Sequence, residues 1–282
     1  MPLPRSLGSL VPLVLAALVA LVPAAAHAQD EVPFVVTPDH VTLAMLEMAG
    51  VGAGDRVVDL GSGDGRIVIT AARRFGASGL GVEIVGDLVR QSRATATRAG
   101  VADRVEFREQ DLFATDLSRA TVVTMYLLPD VNLALRPRLL ALAPGTRIVS
   151  HDWDMGDWQP DRTERLDVPD KSVGIEKASR VHLWTVPARV QGLWCSRDRS
   201  IVLEQRFQRF SATVVERAAQ PNEPPVVFDG AIRGRRLESP GIRAMPMELD
   251  DGGGNGPRLV WLDPRPDAAA TRFAPAVDGR CP

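Results

Sequence analysis

Asp55-Arg56-Val57-Val58-Asp59-Leu60-Gly61-Ser62-Gly63-Asp64-Gly65-Arg66-Ile67-Val68-Ile69 is the stretch whose reading decides the fold. An apolar run (Val57, Val58, Leu60) ends in three alternating glycines, and a second apolar run with the helix-forming Ala71 and Ala72 follows. That pattern reads as buried strand, tight turn, helix. Glycine lets the turn take positive φ and lets a ligand approach where a Cβ would collide. The opening turn of the following helix then offers N–H groups to a carboxylate or similar anion.

Two ligand classes use such a turn. A dinucleotide site wants G-x-G-x-x-G, with the pyrophosphate on the helix end. Here the spacing is G-x-G-x-G, and Arg66 stands where the third glycine of a dinucleotide turn would fall. Asp59 also precedes the first glycine by two positions. The arrangement resembles the first motif of class I methyltransferases that use S-adenosylmethionine.

The next strands add acids at matching places. Gly79 to Ile84 reads as a short buried strand carrying Glu83, 24 residues after Asp59. A carboxylate at the end of the second strand of a nucleoside-binding α/β sheet is placed to accept both ribose hydroxyls. Val105 to Phe113 alternates like a strand and brings Asp111. The class I resemblance implies that a polar residue there accepts the adenine amino proton while the next, Leu112, packs on the ring. Upstream, Thr37-Pro38-Asp39 opens a helix with Val41, Ala44, Met45 and Met48 at helical spacing, closed by Gly50, Gly52 and Gly54. A threonine flanked by prolines resembles the segment that lines the methionine end of the pocket in some of these enzymes. An N-cap by Thr37 is the other reading.

Ala120 to Leu128 reads as a fourth strand, buried on both faces and stopped by Pro129. A helix from Asp130 to Leu142 and a fifth strand from Thr146 to Ser150 follow, the latter running into His151 and Asp152. Thr163 to Val168 and Arg180 to Val186 read as two more strands, which fits the antiparallel hairpin that ends a seven-stranded methyltransferase sheet. The fold class is therefore α/β: a Rossmann-like, seven-stranded class I methyltransferase sheet with helices on both faces, followed by a small C-terminal antiparallel β domain.

Asp-Leu-Gly-Ser-Gly-Asp-Gly-Arg-Ile-Val (59–68), Leu-Val-Arg-Gln-Ser-Arg (88–93) and Gln-Asp-Leu-Phe-Ala-Thr-Asp-Leu-Ser (110–118) narrow the resemblance. Together they are similar to the mitochondrial lysine methyltransferases acting on the adenine nucleotide translocase and on ATP synthase subunit c, with their bacterial relatives. The similarity covers about residues 33 to 187. It implies S-adenosylmethionine as cofactor and methyl transfer to an amine, a protein lysine or a small amine. On that reading Thr37, Asp59, Gly61, Ser62, Gly63, Asp64, Gly65, Glu83, Asp111 and Leu112 hold the cofactor. Methyl transfer is an in-line displacement, so the pocket aligns the nucleophile and desolvates it. Tyr126, the only tyrosine, stands at the end of the fourth strand, beside the methyl group in this fold. His151 and Asp152, at the end of the fifth, could hold or deprotonate an amine; a hydrogen-bonded strand terminus is the alternative for them. The Asn/Asp-Pro-Pro-Tyr/Phe motif of many amide and adenine N-methyltransferases is missing.

Composition bounds the rest. Of 282 residues, 45% are hydrophobic and 24% charged, with a formal net charge of −2. That supports a buried core and lacks the basic footprint of a nucleic-acid binder. Basic charge comes almost wholly from arginine; the lysines are Lys171 and Lys177. Arg5, the apolar Leu10 to Val22 and Ala26-His27-Ala28 have the layout of a secretory signal peptide over residues 1–28. Its apolar run, about 13 residues, is short for a bilayer span, so no transmembrane helix is expected once it is removed. The expected location is exported: periplasmic or envelope-associated.

Residues 29–187 then form the methyltransferase domain and 188–282 a β-rich domain. Short alternating strands between Pro/Gly/Asn turns point to a small antiparallel sheet or open barrel, and Gly192-Leu193-Trp194 resembles a lipocalin-like entry strand. Cys195 and Cys281 are the only cysteines and are expected to pair in an oxidising compartment. Neither sits in a metal-ligand spacing, and no metal site is expected. Two function classes stay open at this point: an S-adenosylmethionine-dependent N-methyltransferase, or a non-catalytic nucleoside-binding protein signalling through its β module. Arg66 disfavours a nicotinamide-dependent oxidoreductase.

Overall fold

Seven segments between residues 56 and 185 assemble into one sheet in the computed structural model, which describes residues 35–172, 176–216, 224–240, 246–262 and 270–281. The expected signal peptide, residues 1–28, lies outside the described residues, as do residues 29–34. Five strands are parallel: β1 (Arg56–Leu60), β2 (Ser78–Glu83), β3 (Val105–Glu109), β4 (Val122–Met125) and β5 (Arg147–His151). The hairpin β6 (Arg162–Asp167) and β7 (Ala178–Thr185) adds antiparallel to β5. The order β3-β2-β1-β4-β5-β7-β6 reverses direction between β1 and β4. In an open α/β sheet, the crevice beyond the carboxyl ends of the strands at that reversal is where a ligand goes.

The two-residue period of each strand sorts its side chains between the faces. Val57, Val122, Val149 and Val181 meet α1 (Asp39–Met48) and α2 (Arg66–Phe75) through Val41, Met45, Ile67 and Ala71. Val58, Leu60, Val123, Met125 and Ile148 pack on the other face against Leu135 and Leu139 of α4 (Pro129–Leu139). Helix α3 (Gly86–Arg98) joins α2 and β3 through Val89, Ala96 and Phe107. Two strands are shorter than expected. β4 stops at Met125, because Tyr126, Leu127 and Leu128 leave the sheet before Pro129 starts α4 at its first turn, where a missing N–H does no harm. β3 stops at Glu109, so Asp111 lies beyond the strand.

The β-rich half corrects the expectation of a small sheet or open barrel. Among the described residues its strands are β8 (Gly192–Cys195), β9 (Arg199–Arg206), β10 (Arg209–Glu216), β11 (Val226–Arg233), β12 (Arg236–Glu238), β13 (Met247–Asp250), β14 (Arg258–Trp261) and β15 (Thr271–Pro275). They form a closed antiparallel barrel, each paired with its neighbour in sequence. Closure comes from β15 on β8, with Ala274 opposite Cys195 and Pro275 opposite Trp194. A closed barrel leaves no edge of unpaired N–H and C=O groups for other chains to pair with. The Cys195–Cys281 disulfide fastens that seam. Inward side chains, among them Trp194, Ile201, Phe210, Ile232, Leu259 and Phe273, fill the interior.

The β9–β10 turn fixes the barrel to the methyltransferase sheet. Phe207 stacks on Trp158 at 6.1 Å between ring centroids and joins the α4-side core. Gln208 Nε2 donates to the Gln159 carbonyl at 2.6 Å, and Trp184 Nε1 to the Trp158 carbonyl at 2.7 Å. No helix among the described residues is long and apolar enough to cross a membrane.

Candidate functional site

The turn after β1 is built to be bare. Gly61, Gly63 and Gly65 all have positive φ (74°, 51° and 79°). At Gly65 a Cβ would stand 2.7 Å from the Phe107 ring and 2.9 Å from Ser92 Cβ. Side chains are excluded by conformation and by space, and the first turn of α2 has no side-chain cap. Ser62 Oγ is buried and has no partner among the described residues. Such a cradle admits a ligand against the backbone and leaves a hydroxyl to meet it.

Carboxylates surround the cradle. Glu83, at the tip of β2, accepts from Gly63 N–H at 2.9 Å through Oε2 and from Ile84 and Val85 N–H through Oε1. Asp59 is the fourth of the five residues of β1, 2% exposed, accepting from Thr124 Oγ1 at 2.7 Å. Burial pushes its carboxyl up to about 7 against that hydrogen bond, and the charges of Asp64 and Glu83 add to the rise. Asp64 is held by Arg66, whose Nη1 also reaches the Thr37 carbonyl at 2.9 Å and Asp39 at 3.3 Å. Arg66 therefore straps the entry of α1 to the glycine turn, a role its sequence position did not reveal. Asp111 is exposed and accepts from Phe113 N–H, capping a short 3-10 turn, Leu112–Ala114. Leu112 packs partly buried against the α4-side core.

Exposed apolar side chains rim the same edge: Val36, Ile84, Val85, Phe113, Leu128 and Trp153. A bare backbone turn, an orphan hydroxyl, mutually repelling carboxylates and an apolar rim fit a nucleoside that carries positive charge. S-adenosylmethionine has those features. Glu83 would meet its ribose, and the turn with Ser62 its amino-acid end.

The tips of β4 and β5 carry a second cluster, centred on Asp152. Its Oδ2 accepts from Tyr126 OH at 3.2 Å and from Lys171 Nζ at 2.7 Å. Its Oδ1 accepts from Arg180 N–H at 3.0 Å. Asp152 has φ of 64°, a left-handed conformation that aspartate tolerates and that turns its carboxylate toward β7. Burial alone would raise its pKa, but Lys171, His151 and the Arg180 N–H together hold it below the usual carboxylate range. Tyr126 moves upward, through burial and then the Asp152 charge, so it remains a hydroxyl at neutral pH.

His151 is 1% exposed, with Nδ1 3.1 Å from Thr37 Oγ1 and Nε2 2.8 Å from Ser179 Oγ. A hydroxyl can donate or accept, so both ring nitrogens are satisfied in either tautomer. Burial pushes the imidazole down to about 4 despite the nearby carboxylate of Asp152. Both of its ring nitrogens are thus engaged inside the fold. Its ring lies 3.9 Å from that of Tyr126, and Thr37 serves it rather than capping α1, whose N-cap is Pro38.

The structure thus brings Tyr126, His151 and Asp152 together and gathers the glycine turn with Asp59, Asp64 and Glu83. Lys171 and Ser179 were missed. The signal for Lys171 was its type: a rare lysine in a chain whose cations are arginines. A concavity of about 470 Å³ at the barrel seam, lined by Arg197, Arg258 and Arg272, lies away from these groups.

Residues 59–162 match the family of the ANTKMT methyltransferase domain. A protein-lysine N-methyltransferase of Saccharolobus islandicus is 47% identical over 131 residues, which are 46% of this chain and 81% of that protein. The adenine nucleotide translocase lysine N-methyltransferase of Mus musculus is 37% identical over 110 residues, 39% of this chain and 48% of its own length. The chain therefore spans about half of that mouse protein. Among solved structures, an RNA methyltransferase from Salinibacter ruber in complex with S-adenosyl-L-homocysteine is 54% identical, with a TM-score of 0.50. That similarity covers 55% of this chain and 96% of the other.

Proposed function

The chain belongs to the ANTKMT methyltransferase family, and we propose from that premise that it transfers a methyl group from S-adenosylmethionine to the side-chain amine of a protein lysine. The observation that carries the acceptor class is the Asp152 carboxylate, which holds a lysine ammonium at 2.7 Å beside the Tyr126 hydroxyl. When bound, S-adenosylmethionine supplies an electrophilic methyl carbon on a cationic sulfur.

The chain's own groups do the rest. Glu83, Ser62 and the glycine turn hold the donor, with Asp111 and Leu112 toward the base. Asp152, ionised at neutral pH, attracts an incoming ammonium and orients its nitrogen. It is too weak a base to keep the proton, so water at the open strand tips carries it away. Tyr126 supports the Asp152 carboxylate, and His151 fixes the Tyr126 ring from behind. The alternative of a binding protein without turnover is disfavoured by this arrangement, since donor binding alone has no use for the cluster around Asp152.

Residues 29–187 are assigned to catalysis and 188–282 to a barrel that braces the β5–β6 connection through Phe207. The signal-type residues 1–28 and the disulfide support an exported protein in an oxidising compartment. The test incubates the purified chain with methyl-labelled S-adenosylmethionine and two acceptors, poly-L-lysine and total RNA. Label in the polypeptide as methyllysine is expected. Label confined to RNA, the substrate named for the Salinibacter protein, would overturn the lysine assignment.

A further inference from the structure

We propose that Lys171 is itself a methyl acceptor, methylated in cis by the domain that carries it. The inference rests on the lysine N-methyltransferase reading above and deepens it by naming an acceptor. Because β6 and β7 form a hairpin against β5, their connection returns to the sheet edge where the parallel strands end. Lys171 lies on that connection, and its side chain is 14% exposed. Its Nζ donates to Asp152 Oδ2 at 2.7 Å and to the Ala178 carbonyl at 2.6 Å. The same Asp152 oxygen accepts from Tyr126 OH. An amine on the chain thus already occupies the carboxylate proposed to receive substrate lysines.

The residue type is informative. Of 33 basic residues only two are lysines, and a guanidinium would grip a carboxylate with two parallel bonds as a structural strap. This position carries a primary amine, the one basic group that lysine chemistry can use. Lys177, the other lysine, donates instead to the Lys171 carbonyl at 2.7 Å.

The step balances simply. Nζ releases one proton to water and its lone pair forms the N–C bond as the C–S bond of the sulfonium donor breaks. The electron pair stays on sulfur, leaving the neutral thioether. The resulting methylammonium keeps its charge and its pairing with Asp152. An ammonium has three N–H donors and Lys171 uses two, so one methyl group fits without the loss of either bond while a second displaces one. Monomethylation is the expected end state.

The test maps the full-length chain by peptide mass, first as isolated with no donor added and then after incubation with deuterium-methyl S-adenosylmethionine. A monomethyl mark on Lys171 is expected, part of it present at isolation. Lys171→Arg should abolish the mark, Lys177→Arg should retain it, and the rate per molecule should not change on dilution. Poly-L-lysine in the same tube separates the two readings. Methylated poly-L-lysine with a bare Lys171 sinks the self-acceptor proposal and leaves the function standing. Donor binding with transfer to neither sinks both. A rate that falls on dilution overturns methylation in cis.

Discussion

The two ends of the crevice answer the same electrostatic problem differently. At the tips of β1 and β2, Asp59, Asp64 and Glu83 lie in one another's field; of these three Arg66 pairs only with Asp64, and the carboxyl of Asp59 rises to about 7. At the tips of β4 and β5, Asp152 already has a cation, Lys171, and its pKa falls. Both carboxyls are buried among strand ends of one sheet, so burial alone does not set them apart. The difference is the counter-ion: one end has carboxylates that outnumber their cation, and the other holds a lysine on its carboxylate.

Substitutions that exchange these conditions test the contrast. The largest effect is expected at Asp59. Its folded pKa exceeds the unfolded value, so the folded state takes up a proton between about pH 4 and 7 and stability falls as pH rises through that window. Asp59→Asn keeps the Thr124 hydrogen bond and removes the cost. Urea denaturation at pH 8 should show a gain of up to about 4 kcal/mol that vanishes near pH 4, with weaker donor binding. Gly65→Ala comes next. Its methyl group meets Phe107 and Ser92 in a left-handed conformation, and chemical denaturation should report a loss of about 3 kcal/mol together with failure to bind donor.

At the other end Asp152→Asn preserves the left-handed backbone but strips Lys171 of its charge partner. A loss of about 2 kcal/mol is expected at neutral pH, less than for a fully buried pair. Because the wild-type carboxyl has a lowered pKa, that gap should close as pH falls through the acid range. Methyl transfer to poly-L-lysine should fall with it. The smallest effect is Thr37→Val, which takes one partner from His151. A melting curve should show a loss of about 1 kcal/mol. A larger loss from Thr37→Val than from Asp152→Asn would mean that the second cluster is held by its histidine and not by its ion pair.

Sequence and structure agree where the chemistry is local. Glycines with positive φ, Glu83 at a strand tip and the closing hairpin follow from spacings within a few dozen residues. The alternation of β1 does not by itself say which face is which; pairing places Asp59, fourth of its five residues, buried on the α1–α2 face. Thr37 read equally well as a cap because its partner, His151, is 114 residues away. Lys171 reaches Asp152 only once the β6–β7 hairpin has formed. Barrel closure was illegible for the same reason: β8 and β15 meet across most of the domain, and β12 has three residues.

Calorimetric titration of S-adenosylhomocysteine into the wild-type chain and Glu83→Gln is the most direct measurement of all. The wild type should bind at a single site, and the variant, lacking the charged acceptor, should bind roughly tenfold to hundredfold more weakly. No binding by the wild type, or equal affinity in the two, would contradict a nucleoside seated across the tips of β1 and β2.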